Sequence, residues 1–331
     1  MKPLRVAIVG CGFMGRMHAN VYGQLEGSQL CAVVDHKQAH LDQFTEEFGV
    51  PGYLDFDAML AAENPDAVDI CLPTYLHKEF TVRSAAAGKH VMCEKPMALN
   101  LEEADAMISA CEKAGVVLMI GHCIRFWPEY ALLKKITVEG RLGKLLSLNL
   151  TRLGEFPSWS SDNWLAEESK SGGGVQDMHI HDSDFALYLM GQPKSVAAYG
   201  NVNKTGPAFA FTTLDYGHSV AHLEGGWNLP KGTPFKMTFR AIFENGVAYW
   251  ENGPMTIIEQ GKPPEIPEFP KMKAAGGGNI SDLGGYYHEL RYFVEHVTSG
   301  EPLKTVTPQT SRESLALVLE EIKQIKTKAG N

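Results

Sequence analysis

The 331-residue chain has no C-x-x-C pair, no lysine-rich run, no apolar stretch of transmembrane length and no internal repeat. With no paired cysteine spacing, the six cysteines (Cys11, Cys31, Cys71, Cys93, Cys111, Cys123) stand singly, mostly inside apolar runs, and read as buried free thiols. A formal charge of −9 without a basic run leaves no electrostatic footprint for nucleic acid and little attraction to anionic membranes. The opening "MKPLRVAIVGCGFMG" superficially resembles a signal peptide, but its apolar run breaks at Gly10, short of the roughly 7 to 15 residues such a segment needs. These absences predict a cytoplasmic protein with a small-molecule substrate and neither nucleic acid nor membrane as partner.

What is present is enough chain for two domains, with 44% hydrophobic and 21% charged residues, the balance of a globular protein. The first third alternates short β-branched runs ("RVAIVG", "LCAVVD", "AVDICLP", "KHVMCEKP", "VVLMIGH") with helical stretches. Continuous apolar strands separated by helices are what a parallel sheet covered on both faces requires. Beyond residue 123 the segments alternate polar and apolar at period two, from "KLLSLNLTRL" to "MTIIEQG", the pattern of an antiparallel sheet with one face partly open. The predicted fold class is α/β: a Rossmann-type doubly wound parallel sheet over 1–123, then an α+β domain over 124–331 with a large open, mostly antiparallel sheet. A helix is expected in "TPQTSRESLALVLEEIKQIKTKAG", and a loop in "KAAGGGNISDLGG", residues 273–285.

Gly10, Gly12 and Gly15 form a G-x-G-x-x-G turn around Phe13 and Met14, directly after a strand and at the opening of a helix. The first glycine permits the tight turn, the second lets backbone approach a pyrophosphate, and the third lets helix pack closely on strand. Asp35 ends the second strand, where an acid of a dinucleotide site is expected. Its carboxylate can accept both adenosine ribose hydroxyls and would repel a 2′-phosphate, which favours NAD over NADP. His36 and Lys37 come next, so dual use stays open. In "HVMCEKPMALN", Lys95 lies where the strand runs out. Pro96 keeps it extended, so its side chain leaves the sheet at the carboxyl edge where ligands of such sheets bind; a surface lysine beside Glu94 is the plain alternative.

The glycine turn, "LPTYLH" (72–77), "EKP" (94–96), "GHCIRFWP" (121–128) and the glycines before "DMHIHDSD" together resemble the Gfo/Idh/MocA oxidoreductases, the family of glucose-fructose oxidoreductases and inositol dehydrogenases. The resemblance covers essentially the whole chain. It implies a nicotinamide cofactor, a sugar or polyol substrate, and a homodimer or homotetramer built on the open sheet. It further implies Pro73, Thr74, His77 and Glu94 beside the cofactor, and His122 and Arg125 toward its nicotinamide end. Arg152, Trp159 and Trp164 are candidates for touching substrate, each with a loop, capping or core role as the plain alternative.

If residues 176–190 turn by about 100° each, Asp177 and His181 share a face, continued by Asp184 and Tyr188. His179 then points away, which argues against a metal held by both histidines, and no metal is predicted. His181 is the candidate base for an alcohol proton, with Asp177 to hold the imidazole or a neighbouring substrate hydroxyl; a capping acid and a core histidine are the plain alternative. Lys95 would stabilise developing alkoxide charge. The rival activities are elimination or epimerisation on a retained NAD, and a non-catalytic nucleotide-sensing regulator.

Overall fold

The computed structural model describes residues 2–158, 160–270 and 284–330. Trp159 and positions 273–283 of the expected loop lie outside them; Gly284 and Gly285 already begin the helix Gly284–Ser299.

The chain divides into two compact units, Met1–Phe126 with Lys271–Arg312, and Trp127–Pro270 with Glu313–Asn331. Where the sequence suggested one boundary after residue 123, the chain passes between units after Phe126, Pro270 and Arg312. The helix Gly284–Ser299 belongs to the first unit because it packs on the helix Phe13–Tyr22.

Among the described residues the first unit carries one parallel sheet: β1 (Leu4–Val9), β2 (Ser28–Val34), β3 (Gly52–Tyr53), β4 (Ala67–Ile70), β5 (His90–Glu94) and β6 (Leu118–Gly121). Their order is β3-β2-β1-β4-β5-β6, the doubly wound arrangement in which the strand order reverses beside β1. β4 is buried at every position, as a strand covered on both faces must be. Gly10, Asp35, Pro73, Lys95 and His122 each come after a strand, so the sheet delivers all five to its carboxyl edge. The edge strand β3 is only two residues long and left no periodic signal in the sequence.

In the second unit the strands are β7 (Leu145–Glu155), β8 (Ser195–Asn203), β9 (Gly206–Asp215), β10 (Val220–Leu229), β11 (Lys236–Phe243), β12 (Gly246–Trp250) and β13 (Thr256–Glu259). They pair as β13-β12-β11-β7-β10-β9-β8, antiparallel except where β10 runs parallel to β7. Alternating burial along β7 marks a sheet with two unlike faces. On the covered face, Val175, Ile180, Ala198, Ala210, Val318, Ile322 and Ile325 form one core cluster. Tyr199 and Phe211 are exposed at 61% and 52% on neighbouring strands, far more than a covered sheet would leave them. Among the described residues no helix is long and apolar enough to cross a membrane.

Candidate active site

The glycine turn is built for close backbone approach. Gly10 has φ of +109°, and a Cβ there would lie 2.5 Å from the Cys71 carbonyl oxygen, so only glycine fits without strain. A Cβ at Gly15 would lie 1.9 Å from the Gly10 carbonyl oxygen, which fixes the helix hard against the turn. At Gly12, by contrast, a Cβ would meet nothing within 4 Å. Gly12 caps the helix Phe13–Tyr22 with no side-chain hydrogen bond to its first turn, and that turn holds no acid. Open space at an uncapped helix N-terminus is what a pyrophosphate requires.

Asp35 is buried and anchored to the turn: its Oδ2 accepts the Cys11 N–H at 2.9 Å, and its Oδ1 accepts the Lys37 N–H at 2.9 Å. Two imidazoles flank Oδ1, His40 at 3.2 Å and His36 at 3.4 Å. His40 was not foreseen; it lies five residues past Asp35 on the helix Gln38–Phe48, with no motif to mark it. Burial and the nearby Asp35 carboxylate push the Cys11 thiol up to about 12, so it stays protonated. All six cysteines are free, as their spacing suggested.

Thr74 is buried at the start of a short helical turn, Thr74–Leu76. The two ring nitrogens of buried His77 lie 2.8 Å from the Pro96 and Leu72 carbonyl oxygens. That ring joins the segment after β4 to the segment after β5, and burial holds its pKa below the usual imidazole value. Arg125, also buried, donates to the Thr305 carbonyl at 2.7 Å and to Thr310 Oγ1 at 3.2 Å. The Glu94 side chain turns back on its own strand end, Oε2 accepting the Lys95 backbone N–H at 3.1 Å.

In the second unit the glycine run explains the approach to the helix. A Cβ at Gly173 would lie 2.7 Å from the Pro207 carbonyl oxygen, and one at Gly174 would lie 2.5 Å from that of Ala208. The stretch beyond Gly174 is not a plain α-helix. Val175–His179 is a π-helical turn, and the α-helix proper runs Ile180–Met190. The assumed 100° per residue therefore fails across Asp177, because a π turn takes in one more residue than an α turn. A second correction concerns Asp184, which does not share an open face with Asp177 and His181. It is buried and accepts the Ser314 hydroxyl at 2.7 Å.

The other polar groups of this stretch are held from beneath. Asp182 pairs with Arg152 Nε at 3.2 Å, and Arg152 also reaches Met237 Sδ at 2.9 Å. Burial raises the Asp182 pKa against the opposing pull of Arg152. Ser183 donates to Glu321, whose Oε2 is 3.3 Å from His179 Nε2. Burial opposes charge on His179, but Glu321 outweighs it and the His179 pKa is raised. His179 lies against the sheet, so closely that a Cβ on Gly225 would lie 2.4 Å from its Nδ1. Trp164 packs against the cluster of Leu165, Ala208 and Trp227. Over residues 171–187, only Asp177, Met178 and His181 are not buried.

A doubly wound sheet with an uncapped glycine turn at its carboxyl edge, joined to an open sheet bearing an acid–histidine helix entrance, defines a dinucleotide-dependent oxidoreductase class. The chain belongs to the Gfo/Idh/MocA family: residues 4–122 match its oxidoreductase domain with the NAD-binding Rossmann fold, and residues 130–249 match its C-terminal domain. The chain is 34% identical over 211 residues to 2,7-anhydro-N-acetylneuraminate hydratase of Mediterraneibacter gnavus, covering 63% of this chain and 56% of that protein. It is 35% identical over 201 residues to myo-inositol 2-dehydrogenase of Thermotoga maritima, covering 60% of this chain and 59% of that one. The match thus spans less than two thirds of either relative. Among solved structures, UDP-N-acetylglucosamine 3-dehydrogenase from Acidithiobacillus ferrooxidans superposes with a TM-score of 0.81 at 27% identity, covering 99% of each chain.

Proposed function

We propose that the chain is an NAD-dependent dehydrogenase acting on a secondary hydroxyl of a cyclic polyol or sugar. The observation that carries this is the burial pattern of residues 171–187: the other titratable groups there, His179, Asp182 and Asp184, are fully buried, while Asp177 and His181 are only partly buried and keep surface that a substrate could meet. A helix used only for packing would have little reason to keep that pair at the surface.

His181 takes the hydroxyl proton as the carbon–hydrogen bond breaks, general-base help worth roughly 100- to 10,000-fold in rate. Asp177 orients the ring or holds a neighbouring hydroxyl. Lys95 brings an ammonium to the oxygen as alkoxide character develops. NAD, when bound, supplies the hydride acceptor; Gly10, Gly12 and Gly15, with Phe13 and Met14, would hold its pyrophosphate, and Asp35 its adenosine ribose. The buried Asp35 carboxylate disfavours a 2′-phosphate, so NAD is the preferred nucleotide. The exposed Tyr199 and Phe211 face fits a homodimer or homotetramer, and six free thiols fit a reducing compartment such as the cytoplasm.

A spectrophotometric screen of inositols and sugars with NAD and NADP tests this, run beside Lys95→Ala and His181→Ala. Both variants are expected to lose most turnover on the best substrate; wild-type turnover in both would overturn the assignment. A second reading, transient oxidation on a nucleotide that is never released, is favoured by the hydratase among the relatives, since hydration involves no net redox change. Nucleotide co-purifying with the protein, with turnover but no net NADH, would select it.

A further inference from the structure

A buried charged cluster behind β4 and β5 has no place in the chemistry above. His18 lies on the helix Phe13–Tyr22, three residues past Gly15, and is fully buried. Its Nδ1 is 2.8 Å from Asp69 Oδ2, and its Nε2 is 3.1 Å from Glu94 Oε1. The second approach lies off the hydrogen-bonding axis, so it is a charge contact rather than an aligned bond. Asp69 Oδ2 also accepts the Tyr22 hydroxyl at 2.9 Å. Cys71 Sγ sits 3.4 Å from His18 Nδ1. Tyr286 tilts toward the imidazole at 6.2 Å between ring centres, and buried Glu289 lies on the same helix, Gly284–Ser299.

One imidazole between two carboxylates is held together only if both nitrogens carry protons. A neutral ring would set a lone pair against an anionic oxygen at one of them. Burial opposes that charge, but Asp69 and then Cys71 outweigh it and hold the His18 pKa well above its usual value. Glu94 responds in the matching sense: burial would raise its pKa, yet His18 and Lys95 bring it below the ordinary value. Burial and Asp69 keep the Tyr22 phenol protonated as a donor.

The consequence lies at the next residue. Glu94 Oε1 faces His18, while its Oε2 accepts the backbone N–H of Lys95. Gly121 leaves room for this, since a Cβ there would already come within 3.3 Å of the Glu94 carboxyl. The peptide from which the Lys95 side chain departs is thereby fixed to the helix that opens the glycine turn. We infer that His18, acting through Glu94, is a positioning residue for Lys95, coupling the dinucleotide turn to the end of β5. The donor atoms of His18, Asp69 and Cys71 also lie within 4.8 Å of one another, a spacing a metal could use, but hydrogen bonds within the cluster already engage each of them.

The inference rests on the role proposed for Lys95, and the test separates the two. NADH titration by fluorescence counts competent sites in wild type, His18→Gln, Glu94→Gln and Lys95→Ala, and kcat on the best substrate of the screen is expressed per competent site. His18→Gln is expected to lose about 10- to 100-fold in kcat per site, with NADH affinity kept within about threefold, because a misaimed ammonium costs chemistry rather than binding. A purely structural role would lower the melting temperature and the number of competent sites but leave kcat per site at the wild-type value, and that result overturns the inference. Should His18→Gln not fold, the isosteric Glu94→Gln carries the same expectation and the same refutation. Wild-type turnover in Lys95→Ala would instead refute the role of Lys95 itself.

Discussion

The two units set their chemistry in different ways. In the first, the residues that would hold the dinucleotide sit just past strand ends at short spacing, and local backbone geometry does most of the work: Gly10 with φ of +109°, an uncapped helix, an acid closing β2. In the second, Asp177 and His181 are close in sequence, but what holds their helix comes from far away, from Arg152 on β7, Ser314 and Glu321 on the helix Pro308–Lys328, and Gly225 on β10. A cofactor turn can be specified by a dozen residues because the peptide group itself is the ligand. The helix that carries Asp177 and His181 is specified by its packing, and packing is long-range.

Substitutions at the glycines should break this contrast most severely. Gly15→Ala places a Cβ 1.9 Å from a backbone carbonyl that cannot move aside, so loss of the folded first unit is expected by circular dichroism. Gly12→Ala meets open space, so the melting temperature should hold while calorimetry shows NAD affinity falling. In the second unit the comparable effect needs a buried charge: Asp182→Ala strands Arg152 and is expected to cost about 3–5 kcal/mol by denaturant unfolding.

A smaller effect sharpens the comparison through pH. His179 has a folded pKa above its unfolded value, so its stabilisation is complete below about pH 6.5 and is lost as pH rises through the folded value. Glu321→Gln removes the charge that raises it. The stability gap between wild type and this variant should therefore be largest below about pH 6.5 and narrow as pH rises above it in thermal melts. His18 has the same sign in the first unit, which Glu321→Gln leaves untouched. At the specificity level, Asp35→Ser should improve kcat/KM with NADP relative to NAD. The smallest effect is expected at the exposed Arg312–Asp105 pair, where Arg312→Ala should leave the melting temperature unchanged.

The same contrast explains how far the sequence was legible. The parallel sheet, the glycine turn, Asp35 and the position of Lys95 at the end of the fifth strand were all readable, because each is a local pattern. So was the open sheet, from period-two alternation. The parallel β7–β10 pair was not, since pairing direction leaves no mark on a single strand. The helix Gly284–Ser299 was hidden by the glycines and polar residues at its start. Within "DMHIHDSD" the acids and histidines look alike in sequence, and only their burial separates Asp177 and His181 from Asp182, Asp184 and His179. Arg152, a candidate for substrate, is engaged by Asp182 below the helix, and His18 passed unnoticed because a lone polar residue on a helix has no motif to announce it.

The most direct test of hydride transfer uses the best substrate of the screen carrying deuterium on its reacting carbinol carbon, with the nicotinamide product analysed by mass spectrometry. One deuterium transferred per product formed, and none detectable in Lys95→Ala or His181→Ala over the same time, is the expected result. Product formed with the deuterium released to water and never found on the nicotinamide would contradict it.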